Sequence, residues 1–237
     1  MKLLTLRKLH KWVALFVGVQ LVLWSLSGLM FAWLDHHGVQ GHDLVKRPAA
    51  AALPAGERVL EPGDLLEAAG GADVTEVRLV EIAGHWVYRV AGSGETRLFR
   101  AADGTPFAID RDLAADLAHR YYTGGGPLIS IVHHAGPTLE TRKAGPSWEA
   151  RFADEHDTSV YVSAEDGSLI VARTATWRVF DFFWMLHTMD YVGRDDFNNP
   201  LVIFAGSAAV WISLTGLLLV IRLYRPKGRP SGKPSRA

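Results

Sequence analysis

Two stretches of the chain lose their polar positions almost entirely. From Trp12 to Leu34 the run WVALFVGVQLVLWSLSGLMFAWL carries no charge and a single amide, Gln20. At 1.5 Å per residue it reaches about 35 Å, enough to cross the hydrocarbon layer of a bilayer. Leu201 to Ile221 (LVIFAGSAAVWISLTGLLLVI) has no ionisable residue and follows Pro200, which suits the first turn of a helix. Both are predicted to be transmembrane helices. Between them the pattern changes period. Val74–Ile82 alternates as a half-buried strand does, His85–Ala91 follows after Ala83-Gly84, and Thr96–Arg100 makes a third strand. Ser147–Ala153, Thr158–Ser163 and Ser168–Arg173 form a second set. Each set is preceded by a helical signal: Glu61-Pro62-Gly63-Asp64 opening onto LLEAA, and Asp110–Tyr122, which is ended by Gly124-Gly125-Gly126-Pro127.

The two sets look alike. RLFRAADGTPFAI parallels SVYVSAEDGSLIV, and Asp103-Gly104 and Asp166-Gly167 stand 63 residues apart. Asp-Gly supplies the positive φ angles of a tight hairpin, so equivalent turns are predicted there. A helix-then-strands unit used twice explains the match; two unrelated hairpins explain it less economically. The predicted fold is therefore an α+β membrane protein, with two transmembrane helices flanking an extracytoplasmic α+β domain of two helix-plus-antiparallel-strand units. Its parts are residues 1–11 (cytoplasmic N-terminus), 12–34 (first span), 35–60 (linker), 61–109 and 110–175 (the two units), 176–199 (an aromatic helix and turn), 200–222 (second span) and 223–237 (a basic, disordered tail).

Charge orients this arrangement. The 25 Lys and Arg balance 25 Asp and Glu, yet every acidic residue lies between Asp35 and Asp196. That stretch holds 15 basic against 25 acidic residues, a net of −10, and the two ends together carry +10. Lys2, Arg7, Lys8 and Lys11 precede the first span, and Arg222, Arg225, Lys227, Arg229, Lys233 and Arg236 follow the second. By the positive-inside rule both termini are cytoplasmic and the middle is outside, periplasmic in a Gram-negative cell. The first apolar run is too long for a signal peptide, and FAWLDHH offers no small-x-small cleavage site. No basic surface suits nucleic acid, and the absence of Cys excludes disulfides, thiolate metal sites and iron–sulfur ligation by this chain.

The opening RKLHKWVALFVGVQLVLWSLSGLMF, the two Asp-Gly turns and the closing RVFDFFWMLHTMDYVGRDDFNNPLVIFAGSAAVWISLTGLLLV together resemble PepSY-associated transmembrane proteins over nearly the whole chain. The most specific elements are Arg-x-Leu-His at Arg7–His10, Leu186-His187 with Met-Asp-Tyr behind it, Ser27-Gly28-Leu29 and Thr215-Gly216-Leu217. The resemblance implies two PepSY-like units outside the bacterial inner membrane. Larger members of the family have about four spans, and some are haem-containing reductases that release iron from ferric siderophores. It therefore also implies haem b, a quinol or cytoplasmic electron donor, and a periplasmic ferric-siderophore acceptor. This chain has two spans, so a complete cofactor set calls for a homodimer or a partner membrane subunit.

Bis-imidazole haem b takes one histidine on each face of the porphyrin. The ligands implied are His10, His187, His37 and His36. His10 lies at the inner mouth of the first span and His36 and His37 at its outer mouth, so along a continuous helix His10 and His36 are about 39 Å apart and cannot serve one haem. His187 belongs to the aromatic segment Trp177–Tyr191, where Phe180, Trp184, His187 and Tyr191 fall at i, i+4, i+7 and i+11 on one helix face. Such a face walls a porphyrin or anchors the chain at the interface. For His10 the alternative is an imidazole facing water and lipid phosphate; for His36 and His37 it is a solvated loop. His133 and His134 are predicted in a loop, and Asp154, Glu155, His156 and Asp157 in a solvated turn. Small residues at Ala205, Ala209 and Ser213, and at Ala14 and Gly18, permit close helix approach. Without haem, the chain reads instead as a non-enzymatic membrane-anchored PepSY module whose outer domain binds a peptide, protease or partner subunit.

Overall fold

Strand periodicity and turn chemistry build the middle of the chain, and a computed structural model describes residues 3–49, 51–68, 74–92 and 94–224. Residues 225–237, which hold most of the predicted tail, lie outside the described residues. The chain divides into two compact units, Phe31–Phe182 and the paired segments Met1–Met30 and Phe183–Ala237.

The first unit holds two antiparallel four-stranded meanders. After a short helix α2 (His36–Gln40), capped by the Asp35 carboxylate on Gly38 N–H, and a 3-10 turn at His42–Leu44 come α3 (Pro62–Ala68) and strands β1 (Val74–Ile82), β2 (His85–Gly92), β3 (Glu95–Arg100) and β4 (Pro106–Phe107). Helix α4 (Arg111–Tyr121) then leads into β5 (Leu128–His134), β6 (Ser147–Phe152), β7 (Ser159–Ser163) and β8 (Leu169–Arg173). Asp110 caps α4 by accepting from Leu113 N–H, so the acidic residue at the head of the motif stands just outside the helix. The apolar stripe Ala114, Leu117 and Ala118 of α4 is buried between Ile82, Val87, Leu98 and Phe107 of one sheet and Ala150, Phe152, Val160 and Val162 of the other. A smaller core of Leu65, Tyr88, Val90 and Phe99 covers the opposite face of the first sheet with α3.

Several sequence expectations change here. His133 and His134 are strand residues: His134 Nε2 lies 2.9 Å from Glu149 Oε2, and the His133 ring packs on Trp148 at 4.8 Å. The linker is ordered at its start, where Val39 is buried and Val45 bridges Tyr122. Within the glycine run that follows α4, Gly126 is a tight fit, since a Cβ there would stand 2.5 Å from the Ala153 carbonyl oxygen. The polar turn after β6 is built around Asp154, whose carboxylate accepts from the Tyr122 hydroxyl at 2.8 Å and from Thr158 N–H and Oγ1 at 2.9 and 2.7 Å.

The second unit is helical. α1 runs from Leu3 to Trp33, so it begins nine residues before the predicted span, and α6 runs from Pro200 to Tyr224. The sequence RKLHK continues the helix because Arg, Lys and Leu are good helix formers and the charged ends of Arg7, Lys8 and Lys11 reach water beyond the apolar stretch. Asn199 caps α6, its Oδ1 accepting from Leu201 and Val202 N–H at 3.1 Å each. α5 (Ala175–Thr188) stops three residues short of Tyr191, because Met189 turns to φ 55°. Only its last six residues belong to this unit.

Candidate functional site

Within the helical unit, the less exposed positions of α1 recur at alternating spacings of four and three: Leu6, His10, Val13, Val17, Gln20, Trp24 and Ser27. This is the seam spacing of packed helices. His10, Gln20, Trp24 and Ser27 are the polar members of that stripe, and each has a partner.

At the Ser27 end of the stripe the partners are the last turn of α5. The final carbonyls of any helix have no acceptor role within it, and in an apolar setting each needs a donor. Gln20 Nε2 donates to Leu186 O at 3.2 Å, Trp24 Nε1 to His187 O at 2.7 Å, and Asn199 Nδ2 to Thr188 O at 2.9 Å. The one amide in an otherwise apolar span therefore serves as a cap for a neighbouring helix.

The same region holds the first of two matching contacts. His187 Nδ1 lies 2.7 Å from Ser27 Oγ, and Ser27 is fully buried. Near the N-terminal end of α1, His10 Nδ1 lies 2.8 Å from Thr215 Oγ1 on α6. Each hydroxyl also sits against its own helix backbone: Ser27 Oγ is 2.7 Å from Leu23 O, and Thr215 Oγ1 is 2.8 Å from Trp211 O. A hydroxyl has one proton to give. If it goes to the carbonyl, the imidazole Nδ1–H donates to the hydroxyl oxygen; if it went to the ring, two bare oxygens would face each other at hydrogen-bond distance. The geometry therefore places a proton on Nδ1 of both rings, which in the neutral tautomer leaves the lone pair on Nε2.

That tautomer presents the nitrogen a metal would take, held by a hydrogen bond on the other side of the ring. Around His10 the cradle is visible as well. The ring lies over Gly216, where a Cβ would stand 3.3 Å from His10 Cε1, and the Trp211 ring is centred 6.5 Å away. Leu-His and Ser/Thr-Gly-Leu, seen separately in the sequence, are thus two halves of one contact made twice. His10 and His187 are not brought together. Ser27 is 17 residues along α1 from His10, a rise of about 25 Å.

The remaining predicted positions divide. His36 and His37 open α2 rather than lie in a loop, but their side chains lie outside the described residues. Tyr191 is beyond the end of α5 and so leaves the face on which Trp184 and His187 sit. Trp184 Nε1 instead donates to Arg194 O at 3.1 Å. Among the described residues there is no group of three or more His, Asp or Glu arranged to hold a metal ion.

Sequence reading did not find a second polar centre, on the face of the second sheet away from α4. Arg178 donates from Nε to Glu140 Oε1 at 2.8 Å, from NH1 to Asp157 O at 2.8 Å and from NH2 to Ser159 Oγ at 2.9 Å. The Tyr161 hydroxyl donates to Glu140 Oε2 at 2.9 Å, and burial together with the charges of Glu140 and Glu149 raises its pKa far above the ordinary tyrosine range. Arg178 thus pairs with both Glu140 and Asp157. A signal was available in the sequence, since Glu149, Arg151, Ser159 and Tyr161 are the polar members of two alternating strands.

Two apolar helices long enough to cross a membrane, with two antiparallel sheets between them in sequence, define a membrane-anchored α+β protein. The chain belongs to the PepSY-associated TM region family, which it matches over residues 7–237. No curated protein and no solved structure matches it.

Proposed function

We propose that this protein is an inner-membrane haem-b electron-transfer component, similar to ferric-siderophore reductases, in which His10 and His187 would hold the haem iron. The observation that carries this reading is the twofold use of one device: an imidazole whose Nδ1–H is held by a buried or half-buried hydroxyl, so that Nε2 is the basic nitrogen. The donor set fits haem iron, for which neutral imidazole is a common axial ligand, and Gly216 leaves room beside the His10 ring. Haem b, when bound, would supply a one-electron couple at each end of the apolar layer. The chain's own residues bind and orient: Thr215 and Ser27 set the ring planes, and Gln20 and Trp24 fix the α5 terminus that carries His187.

His10 has no second histidine at its own level. No other histidine precedes His36 in the sequence, and His187 is about 25 Å away along α1. A second copy of the chain, or a partner membrane subunit, completes that site in this reading. His36 and His37, which follow the outer end of α1, are the near-sequence choices for completing the His187 site. The donor is a quinol or a cytoplasmic protein, and the acceptor is a periplasmic ferric siderophore. Both termini are cytoplasmic, the units 61–109 and 110–175 lie in the periplasm, and the lipid bilayer surrounds α1 and α6.

A second reading, a non-enzymatic PepSY module that binds a peptide or partner, draws on a cleft of about 340 Å³ along β8. It is lined by Gln40, His42, Val45 and Arg47 on one side and Leu169 to Ala172 on the other. β8 is the end strand of its sheet, so an extended segment has an edge to pair with.

One preparation separates the two. The full chain, expressed with ample haem and purified in detergent, is expected to be red, with a reduced-minus-oxidised haem-b spectrum that is lost or halved in His10→Ala and in His187→Ala. A colourless wild-type preparation overturns the haem reading and leaves the binding module.

A further inference from the structure

We infer that Thr215 and Ser27 are positioning residues that tune the two histidines electronically as well as hold them, and that the backbone carbonyl behind each hydroxyl is part of the device. This rests on the haem reading above. Thr215 Oγ1 gives its proton toward Trp211 O at 2.8 Å, with Ile212 O at 3.1 Å. Ser27 Oγ does the same toward Leu23 O at 2.7 Å and Trp24 O at 3.2 Å. A hydroxyl that donates becomes a better acceptor, because the two hydrogen bonds polarise each other. The imidazole N–H that donates into it is therefore polarised too, and Nε2 gains basicity. The relay runs from helix carbonyl through hydroxyl and Nδ1–H to Nε2.

Two comparisons within the chain single out these hydroxyls. Ser25 and Ser213 bond their own helices in the same way, to Leu21 O and Ala209 O at 2.9 Å each, but they are exposed and meet no histidine. Serine and threonine in apolar helices commonly satisfy themselves on the preceding turn. Four hydroxyls in α1 and α6 follow that habit, and only the two next to Gly28 and Gly216 also receive an imidazole.

Stronger donation from an axial ligand favours the ferric over the ferrous state, so removing the acceptor raises the midpoint potential. The test uses the full chain in detergent, with optical redox titration and low-temperature EPR of the ferric form. Thr215→Val, which keeps the shape and removes the acceptor, is expected to shift one haem component to higher potential and to move its g values. Thr215→Ser is expected to restore the wild-type values. Ser27→Ala should act on the other component and Ser27→Thr should restore it, while Ser213→Ala and Ser25→Ala leave both where they were. If Thr215→Val does not fold, Thr215→Cys carries the same arm with a weaker acceptor and a smaller shift of the same sign. A red wild type whose potentials and g values are unchanged in Thr215→Val or Thr215→Cys and in Ser27→Ala overturns the inference but not the haem reading. Equal shifts in the Ser213→Ala control overturn it also. A colourless wild type overturns both.

Discussion

Gln20 is the residue on which the helical unit turns most visibly. An amide in the middle of an apolar helix is costly to leave without a partner, and here its Nε2 supplies the donor that Leu186 O lacks at the end of α5. Replacing it with leucine removes that donor and leaves a carbonyl unmet, so Gln20→Leu is expected to lower stability by about 1–3 kcal/mol, read as a drop in the thermal unfolding midpoint in detergent. Gly216 makes a complementary point about space. A Cβ there would press on His10 Cε1 at 3.3 Å, whereas one on Gly206 would meet nothing within 4 Å. On the proposed haem function, Gly216→Ala should therefore reduce haem content in the purified protein while Gly206→Ala does not, and equal haem content in the two would remove Gly216 from the proposed site. The chemistry-bearing residues were legible as motifs, because Leu-His and Ser/Thr-Gly-Leu are visible in a single sequence. Their pairing was not. Which hydroxyl meets which imidazole depends on how three helices pack, and no spacing along the chain links His187 to Ser27 across 160 residues.

At the scale of the element, the duplicated turn is the clearest case of a local pattern fixing a structure. Arg100 N–H donates to Thr105 O at 2.8 Å and Ser163 N–H to Ser168 O at 2.8 Å, while Gly104 and Gly167 each sit at φ 70°. Asp103 and Asp166 then accept from the residue two further on, Thr105 and Ser168. The aspartates keep negative φ, so only the glycine is left-handed, and the loop is longer than the two-residue hairpin the dipeptide suggests. The two-residue turn instead lies at Ala83-Gly84, where Ala83 is held at φ 51°. A left-handed alanine costs roughly 1–2 kcal/mol, so Ala83→Asn or Ala83→Gly is expected to raise the unfolding midpoint. Asp166 adds a pH dependence. Burial alone would raise its pKa, but hydrogen bonds from Ser168 and Ser163 and the charge of Arg89 pull it below the ordinary carboxylate value. Its contribution is therefore complete above about pH 4, the unfolded value, and is lost as pH falls through the folded value. The unfolding midpoint of Asp166→Asn should vary less with pH below about 4 than that of the wild type, and parallel curves would rule this linkage out. Most strands were legible because alternation and turn chemistry agree. β5 was missed because Ile129 and Val132 are both exposed, which breaks the alternation that marks a half-buried strand. β4 was missed because two residues have no period.

For the whole molecule, the decisive quantity is the distribution of charge around the two apolar helices. All ten basic residues outside Asp35–Asp196 flank the ends of α1 and α6 that lie nearest the chain termini, and the 25 acidic residues lie between the helices in sequence. The positive-inside rule predicts that the cationic ends stay with anionic lipid on the cytoplasmic side and that the middle of the chain lies across the bilayer. The absence of cysteine makes this directly measurable, because one introduced thiol is the only one in the chain. Glu95→Cys places it at the exposed start of β3, and Lys8→Cys places it at an exposed position near the start of α1. With the outer membrane permeabilised and the inner membrane intact, a membrane-impermeant maleimide is expected to label the Glu95→Cys protein and to spare the Lys8→Cys protein until the inner membrane is opened. Labelling of both at once would mean that α1 does not seal across the bilayer. Labelling in the reverse order would put the PepSY-like units in the cytoplasm and remove any periplasmic acceptor from consideration. Reversing the charge bias supplies an independent check on cause. Replacing Arg7, Lys8 and Lys11 with glutamine lowers the inward preference of α1 alone, and a mixed labelling pattern at Glu95→Cys should appear only in that background.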